Sequence, residues 1–66
     1  MQIHATITID DDRWAKRPYG VEFDDEQCNR EFHLNRVDGR DDCYKAIDRA
    51  KAAGYDIDSN VNERFY

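Results

Sequence analysis

QIHATITID, residues 2–10, alternates strictly between polar and apolar side chains. Ile3, Ala5, Ile7 and Ile9 fall on one side of this stretch, and polar residues fall on the other. A period of two is that of a β-strand with one buried face, and isoleucine and threonine favour strands because their branched side chains pack well on a pleated surface. We therefore expect a half-buried strand, and the rest of the chain has to supply its neighbours and a layer that covers the isoleucine face.

Two later segments continue the extended pattern. Tyr19, Val21 and Phe23 alternate with polar residues and glycine, which predicts a second strand. Residues 24–27 are polar and turn-prone, and the alternation resumes over residues 30–37, which predicts a third strand. Three strands that follow one another in this way would form a meander.

A helix is predicted after the turn at residues 38–39, where aspartate and glycine both tolerate positive φ. Asp41 or Asp42 is expected to cap its N-terminus by accepting a backbone hydrogen bond. Gly54 stands where a left-handed residue commonly ends a helix, and Tyr55 is expected to fold back on the last turn. The apolar stripe is spaced at three and four residues and consists of Cys43, Ala46, Ile47, Ala50 and Ala53.

From Tyr55 the chain becomes extended again, with Ile57, Val61 and Phe65 as the apolar residues of a fourth strand. The predicted order is β-β-β-α-β, an α+β fold in which one helix packs on one face of a small antiparallel-type sheet of three to four strands. Since the chain has 66 residues, we expect a single domain over residues 1–66 that buries about 60% of its unfolded surface.

Composition narrows the classes of function. Charged residues make up 38% of the chain and the formal net charge is −5, which disfavours nucleic-acid binding by the whole domain because phosphates attract a surplus of Lys and Arg. No run approaches the roughly 18 apolar residues of a membrane span, and the start of the chain lacks the pattern of a secretory signal. We therefore expect a cytoplasmic protein with no membrane partner, in which Cys28 and Cys43 are thiols.

Asp10, Asp11 and Asp12 directly follow the first strand and allow three interpretations. A calcium loop places its carboxylates at alternate positions, whereas these are contiguous. A nuclease-like carboxylate cluster would need further acids from the next hairpin, such as those at residues 22–26. The interpretation we favour is a strand end at which aspartates form a turn and keep the edge soluble.

Other candidate chemistry is sparse. His4 and His33 are both predicted on polar strand faces, where together with Cys28 or an aspartate they could hold a metal, but nothing in the spacing fixes such a site. The chain has no nucleophile elbow, no glycine-rich phosphate loop and no HExxH pattern. We therefore predict a protein that is not an enzyme, with no catalytic residue, no cofactor and no resident metal.

RWAKRPY, residues 13–19, combines the Trp, Arg and Tyr side chains that dominate interface hot spots. Trp14 has two interpretations: it contacts a partner, or it is a plug that covers one end of the small core with Arg and Lys stems beside it. The same mixture of cations and aromatics would also allow stacking on a nucleotide base, with phosphate contacts from the cations.

The leading prediction is a small acidic protein-binding module, of the kind with which phages and mobile elements inhibit a host enzyme or defence complex. If the hairpin brings residues 10–12 near residues 24–26, the combined acidic patch would mimic phosphates and occupy the basic groove of a nucleic-acid-handling partner. The alternatives are a homodimer or larger homo-oligomer that pairs through a strand edge and residues 64–66, and a weak nucleic-acid binder that uses the loop. The predicted partner-binding residues are Asp10, Asp11, Asp12, Arg13, Trp14, Arg17, Tyr19, Asp24, Asp25 and Glu26.

Overall fold

A computed structural model describes residues 2–12 and 14–65 of the chain. It has the predicted α+β class, with four strands in one sheet, but it contains two helices where the sequence predicted one. The observed order is β-β-α-β-α-β. The elements are β1 (Ala5–Ile9), β2 (Tyr19–Phe23), α1 (Glu26–Phe32), β3 (Leu34–Val37), α2 (Arg40–Ala52) and β4 (Asn62–Phe65).

The sheet has the strand order β3-β2-β1-β4 and is mixed, which corrects the expected antiparallel type. β1, β2 and β3 form the predicted meander, since β2 pairs antiparallel with both of its neighbours. β4 pairs parallel with β1, with Ile7 opposite Glu63 and Ile9 opposite Phe65. The reason is the connection: α2 carries the chain back along the sheet after β3, so β4 starts from the same end as β3 and β1. β3 and β4 are therefore the two edges.

The helix α1 occupies residues that were predicted as a turn and the first half of a strand, and that prediction was wrong. Asp25 caps the helix by accepting a hydrogen bond from the Cys28 backbone N–H at 2.9 Å. Arg30 pairs with Glu26 one turn earlier at 3.0 Å, which supports a short helix from its exposed side. Cys28 is fully buried and connects α1 to the core. The strand itself begins only at Leu34.

The helix α2 confirms most of its predicted stripe, because four of the five residues are buried. The fifth, Ala53, is the exposed C-cap. The N-cap is Gly39, which makes no side-chain cap; Asp41 and Asp42 lie in the first turn, so the predicted capping role was wrong. Their charges still suit the positive end of the helix dipole.

The end of α2 follows the prediction closely. Gly54 has φ 103° and donates its N–H to the Lys51 carbonyl at 3.0 Å, while the Tyr55 N–H donates to the Ala50 carbonyl at 3.2 Å. These two bonds form a Schellman motif, in which a left-handed glycine closes the last turn and the next residue folds back on it.

Both helices cover the same face of the sheet. The cysteines Cys28 and Cys43, one from each helix, join the isoleucines of β1 in a single apolar cluster, and α1 and α2 also contact each other. The opposite face carries polar side chains, among them Glu22 of β2 and Arg64 of β4, which are hydrogen-bonded at 2.6 Å. The chain is thus a two-layer structure with a core on one side of the sheet and a polar face on the other.

β3 carries an irregularity that shapes this polar face. Tyr19 pairs with Val37 and Val21 pairs with Leu34, so β3 has one more residue than β2 between the two pairs. This bulge contains Arg36, which has φ 52°, a left-handed conformation that is uncommon for a residue other than glycine, asparagine or aspartate.

Candidate functional site

The two acidic segments of the predicted patch lie at opposite ends of the first hairpin. Ile9 pairs with Tyr19, and Ala5 pairs with Phe23. Residues 10–12 therefore leave the sheet at one end and residues 24–26 at the other, separated by the length of β1, which is about 13 Å at about 3.3 Å per residue. The expected combined patch does not form.

The aspartates after β1 shape their own loop. Asp10 Oδ1 accepts a hydrogen bond from the Asp12 N–H at 3.0 Å, and Asp12 Oδ1 accepts one from the Trp14 N–H at 3.0 Å. The Asp12 carbonyl also accepts from the Ala15 N–H at 3.0 Å. Side-chain acceptors that bond two residues ahead are typical of Asx turns. The turn interpretation is confirmed for Asp10 and Asp12, and the side chain of Asp11 between them is exposed.

Trp14 lies on this loop with 83% of its surface exposed, so it is not a plug of the core. The core is closed at this end by other residues. Tyr19 packs against the apolar cluster, and the Arg40 guanidinium lies 5.9 Å from the centre of its ring. Arg40 in turn pairs with Glu63 of β4 at 3.4 Å. With this end already covered, the indole is left in solvent.

The remaining predicted contact residues of the loop are Arg17 and Arg13. Arg17 is exposed and forms a long ion pair with Asp38 at 3.6 Å, which is worth little in water. Arg13 lies outside the described residues. We call the side chains of this loop at residues 10–12, 14, 16 and 17 the tip surface; all of them are exposed except Asp10, which is half-buried, and along the chain the acids come first and the tryptophan and cations follow.

The acids at the far end of the sheet have structural roles. Asp24 Oδ1 accepts a hydrogen bond from the His4 N–H at 2.8 Å, Asp25 caps α1, and Glu26 pairs with Arg30. The His4 ring also lies 3.3 Å from Asp58. Their predicted part in partner binding stays a prediction, but it would involve a surface separate from the tip.

A depression of about 320 Å³ lies beside the tip surface, and the sequence patterns gave no sign of it. It lies where β2 meets the bulge in β3. Gly20 belongs to its wall, and a side chain there would meet the Leu34 carbonyl oxygen at 2.7 Å and the Thr8 hydroxyl at 2.8 Å. The lining residues are Thr8, Asp10, Arg17, Pro18, Tyr19, Gly20, Asn35 and Arg36.

The cysteines and histidines offer little chemistry. Cys28 and Cys43 are free thiols, as expected, and both are buried. Burial is the main cause that raises the pKa of each thiol. The charge of a nearby acid raises it further, Asp25 first for Cys28 and Asp42 for Cys43. His33 ends α1, where its Nδ1 lies 2.7 Å from the Asn29 carbonyl oxygen; it is not on a strand face. In the part of the chain that the structure describes, no three His, Cys, Asp or Glu side chains come together in a way that could hold a metal.

No protein-family model, no curated protein and no solved structure matches this chain. Among the helices within residues 2–12 and 14–65, none is long and apolar enough to cross a membrane.

Proposed function

We propose that this protein is a non-enzymatic binding module that docks on a protein partner through its tip surface. The observation that carries the proposal is the exposure of Trp14, 83%, on a loop whose backbone is held by the Asp10 and Asp12 carboxylates. A tryptophan buries on the order of 150–250 Å² when it is covered, more than most other side chains. Because the Asp12 and Trp14 N–H groups are already hydrogen-bonded, this backbone loses less conformational entropy on binding.

The charges of the tip surface indicate the kind of partner. Asp11 lies on the acidic side of the loop, and Arg17 and Lys16 follow on the other side of Trp14. Tryptophan and arginine are enriched at the energetic centres of interfaces, and surrounding charges fix orientation and exclude other partners. The partner would present an apolar pocket for the indole with basic residues next to the aspartates, as a nucleic-acid-handling protein does beside its groove.

In this proposal the acidic contribution comes from residues 10–12 alone, because residues 24–26 lie at the other end of the sheet. The biological role we propose is inhibition of a host or defence complex by a phage or mobile-element protein. It rests on the small size of the domain, its acidic balance and the lack of a recognisable catalytic motif in its sequence.

Affinity capture from host lysate tests the docking proposal. The wild-type chain is compared with Trp14→Ala and Asp11→Lys, which remove the indole and reverse a charge without touching the bonds that shape the loop. The matched control is Tyr44→Ala, which removes a different exposed aromatic on α2. We expect both tip variants to lose a partner that the control retains. Capture of the same partners by all three variants would contradict the proposal.

A second candidate function is self-association through β4. All four residues of this edge strand are exposed, and Phe65 has 63% of its surface in solvent. An exposed edge offers backbone groups that can pair with another strand. Sedimentation across the micromolar range, with Phe65→Lys as the comparison, tests this function: a wild-type oligomer that the variant lacks would support it, and a wild-type monomer throughout would exclude it.

A further inference from the structure

The depression beside the tip surface has the composition of a binding site for an anion. Among the lining residues that the structure describes, Arg17 and Arg36 are cations and Asp10 is an anion, so these side chains sum to +1 in a chain whose net charge is −5. Thr8 and Asn35 add a hydroxyl and an amide. Its volume of about 320 Å³ is at the lower end of the roughly 300–1,000 Å³ typical of small-molecule sites.

Arg36 is the residue that most needs explaining. Its φ of 52° is sterically unfavourable for a branched or long side chain, and asparagine or glycine would occupy this position of the bulge more readily. Within residues 2–12 and 14–65 no carboxylate forms an ion pair with Arg36. Residues held in unfavourable backbone conformations cluster at functional sites, and Arg36 also contributes an exposed cation to the lining of this depression.

The second cation has a weak partner that a ligand can replace. Arg17 lies 3.6 Å from Asp38, with both side chains largely in solvent. An anion between two guanidinium groups accepts charge-assisted hydrogen bonds from both, which are stronger than this exposed pair.

Asp10 adds a hydrogen-bond acceptor to the lining of the depression. One of its carboxylate oxygens already accepts the Asp12 N–H at 3.0 Å, and the other is left to accept a hydrogen bond. A ligand that carries a hydroxyl group next to its anionic end would donate to it.

We propose that this depression binds a phosphate monoester of a hydroxylated small molecule, with the phosphate between Arg17 and Arg36 and a neighbouring hydroxyl donating to Asp10. This activity goes beyond protein docking and does not depend on Trp14. A free sugar phosphate and a mononucleotide share this chemistry, and the depression does not distinguish the two.

Titration of the full chain with ribose 5-phosphate, adenosine monophosphate and ribose, followed by NMR chemical shifts of backbone amides, tests the proposal. We expect the two phosphates to shift the amides of Gly20, Asn35 and Arg36, and ribose to leave them unchanged. The phosphate that binds more tightly shows whether the ligand is a free sugar phosphate or a mononucleotide. No shift at these residues with either phosphate at millimolar concentration would overturn the proposal, and so would equal shifts with ribose.

The decisive variant is Arg36→Gly, because glycine tolerates φ 52° and the fold should be retained or stabilised when the cation is removed. We expect it to weaken phosphate binding at least about ten-fold, as for the loss of one charge-assisted hydrogen bond. The matched control is Arg49→Gln, which removes the same charge from the exposed side of α2, and Trp14→Ala tests independence from docking. Both should retain the wild-type affinity. An equal loss in Arg49→Gln and Arg36→Gly would show attraction by bulk charge only and would overturn the site.

Discussion

Gly20 lies in β2 where both neighbouring strands approach closely. Its neighbours across both sides of β2 approach so closely that an added Cβ would lie 2.7 Å from the Leu34 carbonyl oxygen and 2.8 Å from the Thr8 hydroxyl. Backbone cannot move aside as a flexible side chain can, so a substitution here has to displace β3 or the bulge.

We predict that Gly20→Ala lowers the free energy of unfolding by about 1–3 kcal/mol, the range for overpacking a closely packed site. Urea denaturation measures this directly. The control is Gly39→Ser, where the nearest atom to an added Cβ is 4.0 Å away and the hydroxyl can cap α2. It should leave stability unchanged or raise it slightly; an equal loss in both variants would mean that the contact at Gly20 is not the cause.

The hydrogen bond of the Tyr55 hydroxyl makes the free energy of unfolding fall at alkaline pH. Its hydroxyl donates a hydrogen bond to Glu31 at 2.7 Å, and this bond, with smaller contributions from burial and from the Glu31 charge, raises the pKa of Tyr55 from 10.0 to about 12. The folded state therefore favours the protonated phenol. Its contribution is complete below pH 10 and is lost as the pH rises from 10 to about 12.

Chemical denaturation at a series of pH values from 9 to 12 measures this contribution. We expect Tyr55→Phe to show a smaller fall in stability over the interval than the wild type, because the variant has no proton to lose at this position. The stability of Tyr44→Phe, which changes an exposed tyrosine on α2, should fall by as much as that of the wild type. Identical curves for the wild type and Tyr55→Phe would rule out the Glu31 bond as the source.

At the scale of elements, the long periodic segments were predictable and the short helix was not. β1 and α2 carry periods of two and of three to four residues over enough positions to identify them. α1 has seven residues, less than the length at which a helix is stable alone, so its formation depends on a cap and on contact with α2. Phe32 and Leu34 share an alternating pattern by coincidence, since one ends a helix and the other starts a strand.

The cap of α1 can be tested separately from its packing. We predict that Asp25→Ala costs about 1 kcal/mol, because the Cys28 N–H loses the carboxylate that it bonds at 2.9 Å. Asp25→Ser keeps an acceptor at the same position and should retain most of the stability. If both variants lose the same amount in thermal and urea denaturation, the stabilisation does not come from the cap.

At the scale of the whole molecule, the predicted contact residues divide into two groups at opposite ends of the sheet. Strand direction alone accounts for this division: in an antiparallel hairpin the residues after the first strand and those after the second leave the sheet at opposite ends. Periodicity predicted the α+β class and the existence of β1, but it did not predict that β1 is an inner strand of the sheet. It could not predict the depression, because the bulge at Arg36 and the close approach at Gly20 depend on contacts between distant segments.

The tip surface and the depression lie side by side at one end of the domain, and they share Asp10 and Arg17. A partner bound to Trp14 would therefore lie close to a bound phosphate ester, so each ligand has a route to alter the affinity of the other. At the far end of the sheet, residues 24–26 make structural bonds: Asp24 accepts a backbone hydrogen bond, Asp25 caps α1 and Glu26 pairs with Arg30.

Trp14 lies outside the core, and we propose that it belongs to a docking surface. This proposal is tested by measuring two free energies, of unfolding and of binding to the captured partner, for the wild type and for Trp14→Ala. We predict that the free energy of unfolding changes by less than about 0.5 kcal/mol, as for an exposed residue, while binding weakens by about 2 kcal/mol or more. Loss of about 3 kcal/mol or more of folding stability, the cost of removing a buried tryptophan, or unchanged binding would contradict it.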